Sequence, residues 1–282
     1  MGARALARKA VPRRIRNWLR SPRATLRWLG DALLDALGGP TPFEARPGWR
    51  LDCPRVARRA FRAHVVDPEQ VAELDAFIAT CRAPLLLFDV GAHYGLFSLA
   101  ALRFGGPLAR AVAVDPSPAA ARMLRRVARR NGLIDRVDVV RAAAGAAEGR
   151  VGMVDVGVQA AGYYVPADDA HPAGEQSSVP AVTVDALARR FGAPTHLKID
   201  VEGFEEEVLR GALAVLRSRA PPVLFLELHH QMVRARGLDP AGTLDLLASL
   251  GYAIYDKDSR IWDRENLLRR DLVRVIARRT AI

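Results

Sequence analysis

The chain has 282 residues, half of them hydrophobic, with 26% charged and a formal net charge of +11. That is enough apolar material for one large domain or two small ones, and too much for a disordered chain. No uninterrupted apolar run approaches the ~18 residues of a bilayer-spanning helix, which excludes an integral helical membrane protein.

Residues 1 to 30 hold eight arginines and Lys9 and no acid, so they carry +9 of the charge and leave +2 for the other 252 residues. The basicity belongs to this first segment. Its start, MGARALARK, lacks an apolar core of secretory-signal length, and Leu6 stands where myristoylation of Gly2 would want Ser or Thr. The two cysteines, Cys53 and Cys81, form no CxxC pair and no ligand cluster, so free thiols in a reducing, cytoplasmic setting are expected. Ser21-Pro22 supplies an N-cap and first-turn proline for a helix ending near Gly38-Gly39-Pro40. Its apolar stripe, Leu26, Leu29, Leu33 and Leu37, follows one helical face. Such a helix packs on the main domain or, with Trp18 and Trp28 among the arginines, lies at the inner face of an anionic membrane through residues 1 to 40. Nucleic-acid binding through this segment ranks lower, because the rest of the chain has no comparable charge excess.

Residues 1 to 45 therefore read as a basic helical appendage with its linker, and 46 to 282 as one domain. Asp67-Pro68-Glu69 opens a helix to about Cys81, after which apolar runs alternate with helical patterns, the mark of a doubly wound α/β fold with a parallel sheet. Strands are predicted at 85 to 90, 110 to 115, 137 to 142, 195 to 200 and 222 to 228, and helices at 94 to 104, 117 to 131, 204 to 218 and 240 to 250. Tyr252 to Tyr255 and Leu272 to Ala277 add two strands. Residues 143 to 194 form an insert longer than an ordinary connection, with a hairpin over Gly149 to Val158, a Gly/Pro/Asp-rich stretch from Gly162 to Ser178 and a strand over Val179 to Val184. Tyr163, Tyr164, Asp168, Asp169 and His171 in that insert suit contact with a polyhydroxylated acceptor.

The turn Asp89-Val90-Gly91-Ala92-His93-Tyr94-Gly95 joins a hydrophobic strand to a helix, where this kind of sheet meets a nucleotide-like ligand and glycine lets the backbone approach it. The spacing is G-x-x-x-G after an acid, not the G-x-G-x-x-G that cradles a pyrophosphate. Asp89 would repel a diphosphate but suits a ligand with an amino group and a sulfonium, which describes S-adenosylmethionine. A nicotinamide oxidoreductase is the competing enzyme class. Asp115, before Pro116 at the end of the second strand, stands where ribose hydroxyls lie in either kind of site, and Ala143 is a candidate for walling the adenine.

The motifs FDVGAHYGLFSL (88 to 99), AVDPSP (113 to 118), RNGLIDRVDVVRAAAG (130 to 145), VTVDAL (182 to 187), LKIDVEGFEEEVLRGA (197 to 212) and PPVLFLELH (221 to 229) resemble the FkbM family of S-adenosylmethionine-dependent methyltransferases over about residues 65 to 256. The resemblance implies a Rossmann-like class I methyltransferase fold, with a mostly parallel seven-stranded sheet and helices on both faces. It also implies methyl transfer to a hydroxyl of a small molecule, sugar or glycan, with cofactor binding by Asp89, Gly91, Gly95 and Asp115. The family commonly has Asn at the position of His93 and Glu at that of Asp115. Ala92, His93 and Pro116 join the cofactor candidates by position.

Lys198 and Asp200 alternate along the fourth strand and so project to one face. A buried ammonium needs a partner, and Glu227, at the end of the neighbouring strand, is the candidate; Lys198 and Glu227 stand with Asp200 and His229 as catalytic candidates, or brace the two strand ends as a structural ion pair. Transfer to an alcohol requires removal of the hydroxyl proton, for which Asp200 and His229 are the base candidates. Asp200, Glu227 and His229 also have the donor types for a divalent metal acting on a diol, although no metal site is assigned. An RNA-modifying protein anchored by its basic segment is a further alternative. No Asn-Pro-Pro-aromatic motif and no cysteine near the crevice point to amine or cysteine-mediated pyrimidine methylation.

Overall fold

Short apolar strands alternating with capped helices define the chain path in a computed structural model, which describes residues 30, 33–35, 42–154 and 176–280. A hairpin of β1 (Pro42–Arg46) and β2 (Trp49–Asp52) leads into helices α1 (Arg55–Phe61), α2 (Ala63–Val66) and α3 (Pro68–Thr80). Next come β3 (Leu86–Val90), α4 (Leu96–Phe104), β4 (Arg110–Val114), α5 (Pro118–Arg130) and β5 (Val137–Val140). The insert contributes β6 (Ala143–Ala144), β7 (Gly149–Val154) and β8 (Gln176–Val182), followed by α6 (Val184–Phe191). The chain continues through β9 (His196–Ile199), α7 (Glu205–Arg210), α8 (Leu213–Leu216) and β10 (Val223–Leu228). It closes with α9 (His230–Ala235), α10 (Ala241–Ser249), β11 (Tyr252–Tyr255), α11 (Arg264–Leu268) and β12 (Val273–Arg279).

The main sheet has seven strands in the order β11-β12-β10-β9-β3-β4-β5. Only β12 runs antiparallel to its neighbours in it. Strand order reverses between β3 and β9: β4 and β5 build outward on one side, β10 on the other. That switch point opens a crevice at the carboxyl edge, where ligands of such sheets bind. Local chemistry sets the helix starts. Asp67 accepts from the amides of Glu69 and Gln70, Ser117 from Ala120 and Thr183 from Ala186, each satisfying first-turn donors that the helix itself leaves free.

Each parallel strand buries both faces. Phe88, Val90, Leu197, Ile199, Leu224, Leu226 and Leu228 pack on one side with Val208, Leu209, Leu216 and Leu247, while Leu87, Phe225 and Ile276 pack on the other with Leu74, Phe77 and Leu99. Three expectations are corrected. Gly149–Val154 is one continuous strand paired with β8 in place of the turn expected within it, and the remainder of the expected hairpin, residues 155 to 158, lies outside the described residues. The helix expected over 204 to 218 divides in two at Gly211, where the backbone passes the Gly145 carbonyl too closely for a Cβ. Residues 42 to 45, taken as linker, belong to β1, which pairs with β2 in a hairpin held to the end of α5 by Asn131, whose side chain accepts from the Asp52 amide at 2.9 Å and donates to the Asp52 carbonyl at 2.9 Å.

Of the leucine stripe, the described Leu33 is 60% exposed; the buried anchor of this stretch is Asp35, whose carboxylate accepts from the Arg55 amide at 3.0 Å. The insert residues Tyr163, Tyr164, Asp168, Asp169 and His171 lie outside the described residues.

Across the face that packs on α3 runs a line of buried charge. The Lys198 ammonium donates to Glu73 of α3 at 2.7 Å and stands 3.8 Å from Glu227. Arg274 of β12 contacts Glu227 and lies 3.3 Å from Glu73. Glu73, missing from the sequence reading, is thus the closer partner of Lys198, with Glu227 second. Burial by itself would lower the Lys198 pKa, but the carboxylates of Glu73, Asp200 and Glu227 outweigh it and raise it. Removing one member leaves an uncompensated buried charge, so Lys198→Met or Glu73→Leu alone should cost about 3–5 kcal/mol in urea denaturation, and the double variant clearly less than the sum.

Candidate active site

Four strand ends meet at the carboxyl edge. After β3 the chain turns through Gly91, with φ of 79°, where a Cβ would overlap the carbonyl oxygen of Asp200, so only glycine lets the β3 turn cross the end of β9. Gly91 and Ala92 donate their amides to the Val114 carbonyl at 2.9 and 3.1 Å, tying the turn to β4. Gly95, with φ of 80°, starts α4 where a side chain would strike Leu124. Asp89 is buried and accepts from the Ser98 amide at 3.0 Å and hydroxyl at 2.7 Å, so this acid also caps the first turn of α4. Burial raises its pKa against those hydrogen bonds and the field of Lys198.

Asp115 follows β4. Its two carboxylate oxygens accept from the backbone amides of His93 and Ser117, each at 2.8 Å, which joins the glycine turn to the start of α5. Burial moves its pKa up to about 6 in spite of these bonds. Each oxygen keeps a second lone pair for a ribose hydroxyl. His93 adopts a left-handed φ of 49° and stacks on Tyr94 with centroids 3.7 Å apart; burial lowers its pKa to about 4, so the ring is neutral. Pro116 lies in the turn between Asp115 and the Ser117 cap. Ala143 is buried against Val179 and Val151 of the small sheet β6-β8-β7.

At the ends of β9 and β10 the structure gathers Asp200, Glu202, Glu205, Glu227 and His229. His229 Nδ1 lies 2.9 Å from Glu205, which also accepts the Gly203 amide at 2.9 Å. Its Nε2 faces Glu202 at 3.4 Å, Asp200 at 3.8 Å and Glu227 at 4.0 Å. Burial works against the imidazolium, but the hydrogen bond and charge of Glu205, with Glu202 and Asp200, prevail and raise the pKa to about 9. The cationic form of His229 is thereby favoured at neutral pH. Asp200 and Glu202 both have raised pKa values, chiefly through burial. Asp200 keeps 35% of its side chain open against 11% for His229, and is the more accessible of the two base candidates.

Glu202 holds a left-handed φ of 54° and is followed by Gly203 at 92°, so the Val201-Glu202-Gly203 turn doubles back and aims the Glu202 carboxylate at His229. Glu205 and Arg274 were not singled out from sequence. Arg274 carried a signal, since it interrupts an otherwise apolar strand on the face of Ile276; Glu205, in an acidic helix start, carried none. A cleft of about 780 Å³ beside the β1–β2 hairpin, lined in part by Trp49, Arg103 and Arg136, opens at the amino edge of the sheet and holds none of these groups.

Among solved structures, the fold is similar to a Bacillus cereus O-methyltransferase in complex with SAH (15% identity, 79% of this chain and 86% of that one, TM-score 0.44). It is also similar to a Geobacter metallireducens precorrin-6y C5,15-methyltransferase (13%, 74% and 87%, TM-score 0.43). A ribosomal protein L11 methylase from Lactobacillus delbrueckii subsp. bulgaricus is a third (11%, 76% and 79%, TM-score 0.41). None of the curated proteins compared with the chain matches it. Residues 89–254, more than half of the chain, match the model of the methyltransferase FkbM domain. That span runs from Asp89 to Ile254 and takes in the glycine turn, Asp115 and the whole Asp200–His229 cluster. The chain belongs to the FkbM family of S-adenosylmethionine-dependent methyltransferases, which removes the nicotinamide alternative.

Proposed function

We propose that the enzyme transfers the methyl group to a hydroxyl of a small molecule, sugar or glycan. The observation that carries this is the half-open Asp200 carboxylate at the end of β9, under the glycine turn and 3.8 Å from the His229 imidazolium. An alcohol is a poor nucleophile until its proton is drawn off, and a carboxylate with a raised pKa beside the methyl donor meets that need. The two cysteines do not: Cys53 follows β2 and Cys81 ends α3, both away from the carboxyl edge, with thiols pushed up to about 12 by burial.

In this scheme Gly91, Ala92 and Gly95 let the backbone close on the cofactor, Asp89 faces its amino group, and Asp115 with Pro116 and His93 holds the ribose. The acceptor oxygen approaches in line with the sulfur–methyl bond while Asp200 takes the hydroxyl proton. Alignment supplies most of the acceleration and the base roughly 100- to 10,000-fold. His229 stays protonated and, with Glu205 behind it, orients Asp200. Lys198 and Glu227 brace the two strand ends.

Ribose hydroxyls donate to the ionised form of Asp115, so cofactor binding should be constant above about pH 6 and weaken about tenfold per unit below it. Calorimetry with S-adenosylhomocysteine across pH checks this, with Asp115→Ala expected to lose at least tenfold in affinity and the pH dependence with it. Asp200→Asn should reduce kcat by about 100- to 10,000-fold with cofactor affinity unchanged. Isotope-labelled methyl transfer to a panel of polyols and glycosides, read by NMR, tests the acceptor class; label on nitrogen or carbon in place of oxygen overturns it. We place the enzyme in the cytoplasm, with the basic segment as a membrane contact separate from catalysis. A chain without residues 1 to 28, which keeps Asp35, should then turn over a soluble acceptor at the full rate while losing sedimentation with anionic vesicles.

A further inference from the structure

The imidazole of His229 is surrounded in an unusual way. Four carboxylates, Asp200, Glu202, Glu205 and Glu227, stand within 4.0 Å of it. Among the described residues, the fixed cations that contact any of them, Lys198 and Arg274, do so through Glu227. The cluster is short of positive charge. His229 is 9% exposed, and its Nε2 faces three carboxylates at 3.4, 3.8 and 4.0 Å, each longer than the ~2.7–2.9 Å of a close charge-assisted hydrogen bond.

Those separations fit ligands that share a common centre. Two atoms each about 2.1 Å from an ion stand about 3.0 Å apart at right angles and about 4.2 Å apart across it. Asp200, Glu227 and His229 each offer one ligand atom, all within 4.8 Å of one another. Behind them Glu205, 1% exposed, engages Nδ1 and leaves Nε2 as the nitrogen directed inward. A carboxylate on the remote nitrogen is the support that a metal-bound histidine usually has.

We propose that Asp200, Glu227 and His229, with Glu202 at the open side, form a binding site for one divalent cation of the Mn²⁺ type, set at the switch-point crevice. Mixed carboxylate and imidazole donors suit such an ion better than a soft-ligand metal. This departs from the sequence expectation of no metal site. The ion would occupy the place that the His229 proton holds in its absence.

Its catalytic use rests on the O-methyl reading above. An acceptor hydroxyl bound to the ion is acidified. Its oxygen lone pair forms the bond to the methyl carbon as the sulfur–carbon bond breaks and leaves its electron pair on sulfur. In the ion-bound form Asp200 is a ligand in place of the base it is in the scheme above, and the acidified hydroxyl gives its proton to solvent water at the open side of the crevice. A neighbouring hydroxyl could complete the ion's shell, which selects vicinal diols and hydroxy-carbonyl compounds as acceptors.

The test titrates Mn²⁺ into the full chain after chelator treatment, follows free Mn²⁺ by electron paramagnetic resonance, and measures S-adenosylhomocysteine binding to the same preparation by calorimetry. One equivalent should bind, at least tenfold more weakly in Asp200→Asn and in His229→Ala, and unchanged in Asp245→Asn, a surface carboxylate elsewhere. Glu202→Gln, in a half-exposed position that folding does not depend on, should weaken binding several-fold and covers the case in which His229→Ala misfolds. No saturable binding up to millimolar Mn²⁺, or binding that Asp200→Asn and Glu202→Gln both retain, overturns the site. If S-adenosylhomocysteine binds and Mn²⁺ does not, the cation site alone falls; if neither binds, the reading of the crevice as a methyl-transfer site falls with it.

Discussion

An ammonium group buried at 2% exposure on the central sheet is the constraint around which this domain is arranged. Lys198 sits on β9, next to the switch point, and cannot be accommodated in an apolar core without counter-charges on several sides. Glu73 reaches it from α3 and Glu227 from β10, and Arg274 on β12 contacts both of these acids. One helix and three adjacent strands are therefore linked by charge as well as by apolar packing. Phe97 of α4 adds its ring face 5.0 Å from the same ammonium. The ion network adds a directional restraint on the seating of α3 that apolar packing alone does not supply.

The second layer of the design is backbone curvature at those ends. Gly91 and Gly95 after β3, and Glu202 and Gly203 after β9, all take positive φ values. Three of the four are glycine, for which that region carries little penalty; Glu202 bears a strain of order 1 kcal/mol that the Gly203 turn and its contacts must offset. In return the Glu202 carboxylate is delivered to His229. Backbone strain is thus concentrated at one edge of the sheet, and buried charge at that edge and on the face under α3, while the opposite face is mainly leucine and valine packing.

Much of this was legible in the residues. The alternation of apolar runs with capped helical stretches located all seven strands of the main sheet to within about two residues, because strands buried on both faces leave no ambiguity of face. The glycine turn and Asp115 were legible because their conformations demand particular residue types. The partners of Lys198 and His229 were not. Glu73 lies 125 residues before Lys198 and Glu205 24 residues before His229, and nothing local to an acid shows which cation it will meet once the chain has folded. Only the placement of Glu73 one helical turn before Phe77, on the face that packs against the sheet, hinted that it would be drawn inside. The β1–β2 hairpin escaped notice because charged Glu44, Arg46 and Arg50 break up its apolar residues and its hold on the domain comes from the Asn131 side chain, 79 residues from Asp52 in sequence.

The small contact between Asp35 and the Arg55 amide has a consequence for access to the site. It holds Asp35 beside the start of α1, close to Asp52 and the carboxyl end of α5, and so on the amino side of a sheet whose chemistry is all on the carboxyl side. Whatever meets the described residues around Asp35 does so on the side opposite the crevice, and leaves the mouth of the crevice clear.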